Sequence, residues 1–442
     1  MKAVSVERIM IQPGHSHYDA CHRFCWAAKC VFNAALYQMR QALFANQPIT
    51  ASQADKILKT EHPQTYQLLP SAGAQRSTQI LGEAWKGWIE ASRDFKIHPH
   101  KYKGRPRLPG YAKKARTYAV NRNGYKIEDG FLHLSGGKAM GFAPLKITCC
   151  RQQAFNAKVD ETVVADVRIV PLGTSYVVEL VYAHEVTPLE LDPSCILSLD
   201  LGIDNLAAIV SNQPAYQPVL IGGKSIKSIN AKYNKDIAEL ARNGKGRHIL
   251  SKSRKRFSRI ADYFHKVSRW VVRECVRTGA GKIVIGLNRD WKQAACMGRV
   301  NNQKFTFIPH ASLVRMICYK AERLGIEVVV REESYTSKGS ALDLDPLPDY
   351  DRVKAGEQAV PAFSGRRVKR GLYKSRDGKL LNADVNGSGN ILRKEIGDDW
   401  LREQIRLNKG LMDRPMAIKH IDRLLEGSPR VSETTSTRRQ AN

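Results

Sequence analysis

The first twelve residues carry Val4, Val6, Ile9 and Ile11 among polar neighbours, a pattern that predicts a short strand ended by Pro13-Gly14. From Tyr18 to about Ala45 the spacing changes. Cys21, Cys25, Ala28, Phe32, Ala35, Leu36 and Met39 recur at helical spacing and form one apolar stripe. A second stripe, with Ile80, Leu81, Ala84, Trp85, Trp88 and Ile89, predicts a helix from about Ala74 to Phe95, and its two tryptophans read as core. Helical spacing stops at Lys96, because KIHPHKYKGRPRLPGYAKK holds Pro99, Pro106 and Pro109 with Gly104 and Gly110. The alternating segments KIEDGFLHLS, LKITCC, VVADVRIVPL and SYVVELVYAHEV then predict antiparallel strands to about His184. From Pro193, CILSLDLGIDNLAAIVSN reads as strand, glycine turn and strand. A basic helical region follows, then the strand KIVIGL (282–287), a helix around Ala311–Leu324 and the strand IEVVVREE (326–333).

This order predicts an α+β multidomain chain. A small β-barrel (1–12 and 96–190) carries an inserted helical block (13–95), and an α/β domain with a mixed sheet fills 191–430. The polar residues 431–442 read as a disordered tail.

Composition narrows the function. With 71 Lys+Arg against 42 Asp+Glu the formal net charge is +29 and the pI about 9.8. The excess is spread over the chain rather than gathered in one amphipathic helix, so a nucleic acid is favoured over a membrane surface as partner. No run approaches the ~18 apolar residues of a membrane span, and no secretory signal is evident at the start. A soluble, cytoplasmic, nucleoid-associated protein is expected. The nine cysteines include no CxxC and read as reduced thiols. The cluster His15, His17, Cys21, His22, Cys25 fits no standard zinc spacing.

Two carboxylates stand out. Asp200 ends the apolar run ILSL, where a charge needs a cation or hydrogen bonds; the plainer reading is a strand-end Asp capping a turn. Asp384 lies in LLNADVNGSGNILRK, with a turn and helix cap as its plainer reading. Two dense basic stretches read as phosphate contacts: Lys101, Lys103, Arg105, Arg107, Lys113 and Lys114 in the proline-stiffened loop, and Arg247, Lys252, Arg254, Lys255, Arg256 and Arg259 before the helix with Ile260, Tyr263, Phe264, Val267 and Trp270.

SLDLGIDNLA, YTSK (335–338) and NADVNGSGNI, in that order, resemble the motifs of a RuvC-like nuclease in TnpB, the transposon-encoded RNA-guided nuclease, and in the related compact type V CRISPR effectors. DYFHKVSRWVV (262–272) resembles that family's helix between motifs, and KYKGRPRLPGY its basic segment. The resemblance is strong over 196–395. It implies a β-barrel wedge domain with an inserted helical recognition domain, and an RNase H-like (RuvC) nuclease domain with a degenerate zinc-ribbon insertion near 335–383. It also implies a guide RNA, a double-stranded DNA target read beside a short motif, and an R-loop. A homodimer on one guide RNA is compatible with it; a membrane is not implied.

Two positions depart from the family. The strand matching KIVIGL ends in a catalytic Glu in relatives, and here that position is Gly286. Glu332 and Glu333 after IEVVVR offer replacements, and strand alternation lets only one of them face the site. Between Tyr335 and Asp384 there is no cysteine, so no structural zinc is expected, and Arg366, Arg367, Lys369 and Arg370 occupy the interval as candidate nucleic-acid contacts. The implied site is two Mg²⁺ ions, with Mn²⁺ as a substitute, bridged by Asp200 and completed by Asp384 and one of Glu332 or Glu333. Gly286 keeps open a nuclease-inactive, RNA-guided repressor. A DNA-binding transposase accessory without guide RNA shares the charge pattern.

Overall fold

The computed structural model describes residues 2–128, 131–136, 145–148, 163–287, 308–406, 412–419 and 421. Cys149 and Cys150, the segment 288–307 and the tail beyond 430 lie outside them. The chain separates into two compact units, Lys2–Glu185 and Val186 onward.

In the first unit, β1 (Lys2–Ile11) pairs antiparallel with β7 (Ser175–Glu185) along its whole length, from Lys2↔Glu185 to Ile11↔Tyr176. β6 (Val163–Leu172) and β2 (Tyr118–Asn121) complete the order β1-β7-β6-β2. The N-terminal strand thus joins strands from the far side of the helical block, as its alternation predicts. A second antiparallel sheet holds β3 (Tyr125–Glu128), β4 (Phe131–Leu134) and β5 (Leu145–Thr148).

Four helices lie between β1 and β2: α1 (Tyr18–Phe44), α2 (Ala51–Glu61), the single turn α3 (Pro63–Tyr66) and α4 (Ser71–Ile97). α2 is absent from the stripe reading because it buries only Ala54 and Leu58. Its start is nevertheless encoded by the reciprocal Thr50–Gln53 capping box. The stripe of α1, including Phe24, Val31 and Leu36, shares one core with Leu81 of α4 and with Tyr118, Val167 and Val178 of the sheet. Trp85 is buried and meets Trp88 edge to face at 5.5 Å. Cys21 and Cys25 lie in this core, where burial pushes both thiols far up, Cys21 to about 12.

In the second unit, six strands run in the order β12-β11-β8-β9-β10-β16: β8 (Asp192–Asp200), β9 (Asn205–Ser211), β10 (Val219–Gly222), β11 (Ala280–Gly286), β12 (Glu327–Arg331) and β16 (Met416–Ile418). β11 is parallel to both β8 and β12, while β9 is antiparallel to β8 and β10. Helices α5 (Lys224–Arg242), α6 (Gly246–Thr278) and α7 (His310–Glu322) follow in the chain, and α6 and α7 pack on the sheet face that carries Leu197, Leu199, Ile283 and Ile285. After the short α8 (Tyr350–Lys354), a small sheet of β13 (Arg366–Lys369), β14 (Leu372–Lys374) and β15 (Leu380–Asn382) runs directly into α9 (Ala383–Ile396). α9 covers the opposite face, with Ile196, Val210 and Val284 beneath it, and α10 (Asp399–Arg406) follows. Burial on both faces explains the unbroken apolar runs of β8 and β11.

Two sequence expectations change here. The basic stretch before Ile260 is not a separate segment: α6 already includes it. The strand IEVVVREE ends at Arg331, so Glu332 and Glu333 lie beyond it.

Candidate active site

The site is built where β8 ends. Strand alternation places Ile196, Ser198 and Asp200 on the α9 face. On α9, Asp384, Gly387, Ser388 and Ile391 follow at helical i, i+3, i+4 and i+7 spacing and line the side turned to the sheet. The Ser198 hydroxyl donates to Ser388 O (2.9 Å), and Ser388 Oγ donates to Ser198 O (3.0 Å), which fixes helix against strand. One residue earlier, a Cβ on Gly387 would overlap Asp200 Oδ2. The glycine is what lets the carboxylate lie against the helix.

The N-terminus of α9 is capped by Asn382, whose side chain accepts from Asp384 N (2.9 Å) and Val385 N (3.3 Å). Asp384 is therefore not the cap, and its carboxylate is available. Its Oδ2 accepts from Asn205 Nδ2 (2.8 Å), and its Oδ1 lies 4.0 Å from Arg367 Nη2.

Glu333 reaches the same place from the other side. Its Oε2 sits 3.0 Å from where a Cβ of Gly286 would project, and that Cβ would also overlap Ile391. The space left by the missing side chain at 286 is shared by the Glu333 carboxylate and Ile391. Glu332 points elsewhere: its Oε2 pairs with Lys394 Nζ (3.0 Å) and its Oε1 accepts from Ser334 N (2.6 Å).

Electrostatics tie three carboxylates together. Burial, then the charges of Glu333 and Asp384, raise Asp200 well above the usual carboxylate range, with Arg367 opposing. Burial, then Glu332, raise Glu333 to about 7, with Lys394 opposing. Among the described residues no group of three or more His, Cys, Asp or Glu side chains stands ready to hold a metal ion. A Mg²⁺ ion does not need such a group, since it keeps several waters and takes one or two carboxylates with phosphate oxygens. Hard oxygen donors that resist sharing negative charge fit such an ion.

Asn205 and Asp204 are site neighbours that the motif reading passed over. Both lie in the turn GIDN, and Asp204 Oδ2 binds Arg370 Nε (2.6 Å) while Lys227 also pairs with it. The signal was the short β8–β9 turn, which returns these side chains beside Asp200.

The loop after β12 is held by side chains of the last motif. Asn386 accepts from Ala341 N (2.9 Å) and donates to Gly339 O (2.8 Å), and Asn390 donates to Thr336 O and Gly339 O (both 2.8 Å). Two acids organise the interval without cysteine. Asp345 Oδ2 accepts from Ser340 N (2.8 Å) and Ser364 N (3.0 Å); Asp343 Oδ2 accepts from Ser364 Oγ (2.9 Å) and Arg376 N (2.8 Å).

The basic candidates divide. Arg366, Arg367, Lys369 and Arg370 lie on or at the tip of the exposed β13–β14 hairpin beside the carboxylates. In α6, Arg256 is buried, donates to Asn230 Oδ1 (2.6 Å) and lies 5.1 Å from the Tyr233 ring centroid. It packs α5 against α6 instead of facing solvent. Its position four residues before Ile260, on the apolar stripe, was the sign. Lys252 pairs with Asp236 (2.6 Å), whereas Lys255 and Arg259 are exposed and Arg254 is half-buried. The Arg247 side chain lies outside the described residues. Lys101, Lys103, Arg105, Arg107, Lys113 and Lys114 are exposed in the first unit, Lys101 lying 3.5 Å from Asp94.

Comparison with known proteins gives this arrangement its class. Residues 179–292 match the family OrfB_IS605, described as Probable transposase, and residues 310–391 match the Cas12f1-like TNB domain. Together the two matches span all three carboxylates. Over these residues the chain resembles TnpB-type proteins and the compact type V effectors. No curated protein matches its sequence. Among solved structures, a chain described under "Cryo-EM structure of the Cas12f1-sgRNA-target DNA complex" is similar in fold at 13% identity and TM-score 0.54, over 85% of this chain and 82% of that one. A chain from "Cryo-EM structure of CRISPR-Cas12f Ternary Complex" aligns at 13% identity over 84% and 80%, with a TM-score of 0.33 too low to support an argument. Among the described residues no helix is long and apolar enough to cross a membrane.

Proposed function

We propose that this protein is an RNA-guided DNA endonuclease whose active carboxylates are Asp200, Glu333 and Asp384. It binds a guide RNA, recognises a short motif beside its double-stranded target, opens an R-loop and cuts DNA on an RNase H-like scaffold. The observation that carries the reading is Glu333: its carboxylate lies in the space that Gly286 leaves at the end of β11, where its charge acts on Asp200. A chain that had lost its nuclease would gain nothing by holding three like charges together in a buried place.

Asp200, Asp384 and Glu333 would hold the divalent ions. When bound, those ions supply a hydroxide near neutral pH and offset charge on the leaving 3′ oxygen during in-line displacement. The protein's own part is positional. Gly387 seats Asp200, Asn205 holds one oxygen of Asp384, and the hairpin arginines face the side from which an anionic strand enters. Glu332 keeps Lys394 and the loop after β12 in place, so it orients Glu333 without holding metal.

The test is to purify the protein with its bound RNA, sequence that RNA, and incubate the complex with matching DNA in Mg²⁺ or Mn²⁺. Scission that needs both the guide and the metal is expected. Guided binding with intact DNA across both metals would instead establish the repressor reading, and a preparation free of RNA would favour a transposase accessory.

A further inference from the structure

The basic segment after α4 has an unusual seat. Arg116 N donates to Cys25 O (3.0 Å), Ala112 N donates to Asn33 Oδ1 (2.8 Å), and Asn33 Nδ2 donates back to Ala112 O (3.0 Å). Further along, Arg40 Nη1 donates to Pro109 O (3.4 Å) and its guanidinium lies 5.2 Å from the Tyr111 ring centroid. As the segment runs from 116 back to 109, its partners run forward along α1 from 25 to 40. That stretch of helix is about 22 Å long at 1.5 Å per residue. Seven residues cover it only if they are extended, at about 3.1–3.3 Å each. The sequence enforces this, since Pro106 and Pro109 fix their own φ and bias Arg105 and Leu108 to extended backbone.

Leu108 packs against the core, while Arg105 and Arg107 are exposed, as are Lys113 and Lys114. Arg105 and Arg107 therefore stand about 6–6.6 Å apart along the strap, close to the step between successive phosphates of a nucleic-acid strand. Among the described residues none of these four cations is in an ion pair, and no carboxylate occurs in the sequence between Asp94 and Glu128. Arg116 is not part of the row, because it is half-buried over the Phe32 ring at 3.6 Å.

We propose that residues 105–114 form a pre-ordered cationic rail on α1 that follows the phosphates of one polynucleotide strand, with Asn33 and Arg40 as positioning residues. This rests on the nucleic-acid reading above and deepens it by assigning a surface and its ligand chemistry. A rail already held extended loses little freedom on binding.

Full-length protein would be titrated with the oligonucleotides rU20 and dT20 by fluorescence anisotropy between about 50 and 200 mM salt. Lys113→Ala/Lys114→Ala is expected to lower the log–log salt slope by about 0.7 per lost single-strand phosphate contact. Asn33→Ala keeps every cation; it should weaken binding about threefold or more with the slope unchanged, and speed tryptic cleavage at the strap. The stronger of the rU20 and dT20 losses tells whether the strand is RNA or DNA. Lys56→Ala/Lys59→Ala, on the exposed side of α2, controls for net charge. Equal losses in strap and control variants, or Asn33→Ala binding like wild type, would overturn the rail. Wild type that cuts guided DNA alongside unaffected strap variants would sink the rail and leave the nuclease standing.

Discussion

Glu333→Gln should make the metal-free protein more stable while ending its nuclease activity. Glu333 sits at about 7 against an ordinary 4.5, chiefly through burial. A carboxyl raised in this way binds protons more readily folded than unfolded, so the metal-free chain loses stability as pH rises from 4.5 through 7. Below 4.5 both states are protonated and nothing is lost; above 7 the loss is complete. Its full size is about 3 kcal/mol, an upper figure because the charge of Glu332 shares in it. Glutamine keeps the shape without the charge. In EDTA at pH 8 the second unit of Glu333→Gln should melt several degrees higher than wild type, at about 2–4 °C per kcal/mol for a unit of this size. At pH 5 the difference should fall to about a quarter of that. Mn²⁺ should raise the wild-type transition at pH 8 and raise that of Glu333→Gln much less. Equal melting shifts at pH 5 and pH 8, or a Glu333→Gln protein less stable than wild type at pH 8 in EDTA, would refute the placement of this charge.

Asp200→Ala and Asp384→Ala should abolish guided DNA cleavage while guided binding persists, and among the adjacent glutamates only Glu333→Gln should match that loss, all read by cleavage and gel shift. Gly387→Ala forces Asp200 from its seat; it should cost about 1–3 kcal/mol by chemical denaturation and reduce cleavage at least as much as it disturbs the fold. Asp345→Ala removes the acceptor shared by Ser340 and Ser364 and should loosen residues 336–382 by hydrogen exchange, whereas dialysis against EDTA should leave that exchange pattern unchanged. Elemental analysis finding one zinc per chain would defeat the second half of that expectation.

The sequence by itself determined most of the elements and pointed to two of the three proposed acids. Period-two and helical spacing located β1, α1, α4, β8, β9, β11 and α7, because those segments bury one continuous face or run. Asp200 and Asp384 were legible as polar breaks at the ends of apolar segments and from the motifs around them. Three matters were decided only in three dimensions. Whether Glu332 or Glu333 joins Asp200 depends on where β12 stops and how the next residues turn over the end of β11, and alternation gives no information beyond a strand's last pair. Gly286 reads as a loss in one dimension, but the folded chain fills its space with Glu333 and Ile391 from elements 47 and 105 residues away. The basic stretches looked alike as charge. Packing turned Arg256 inward between two helices and laid Arg105 and Arg107 outward on an extended strap, because a side chain's direction follows from the backbone that carries it and the surface beneath.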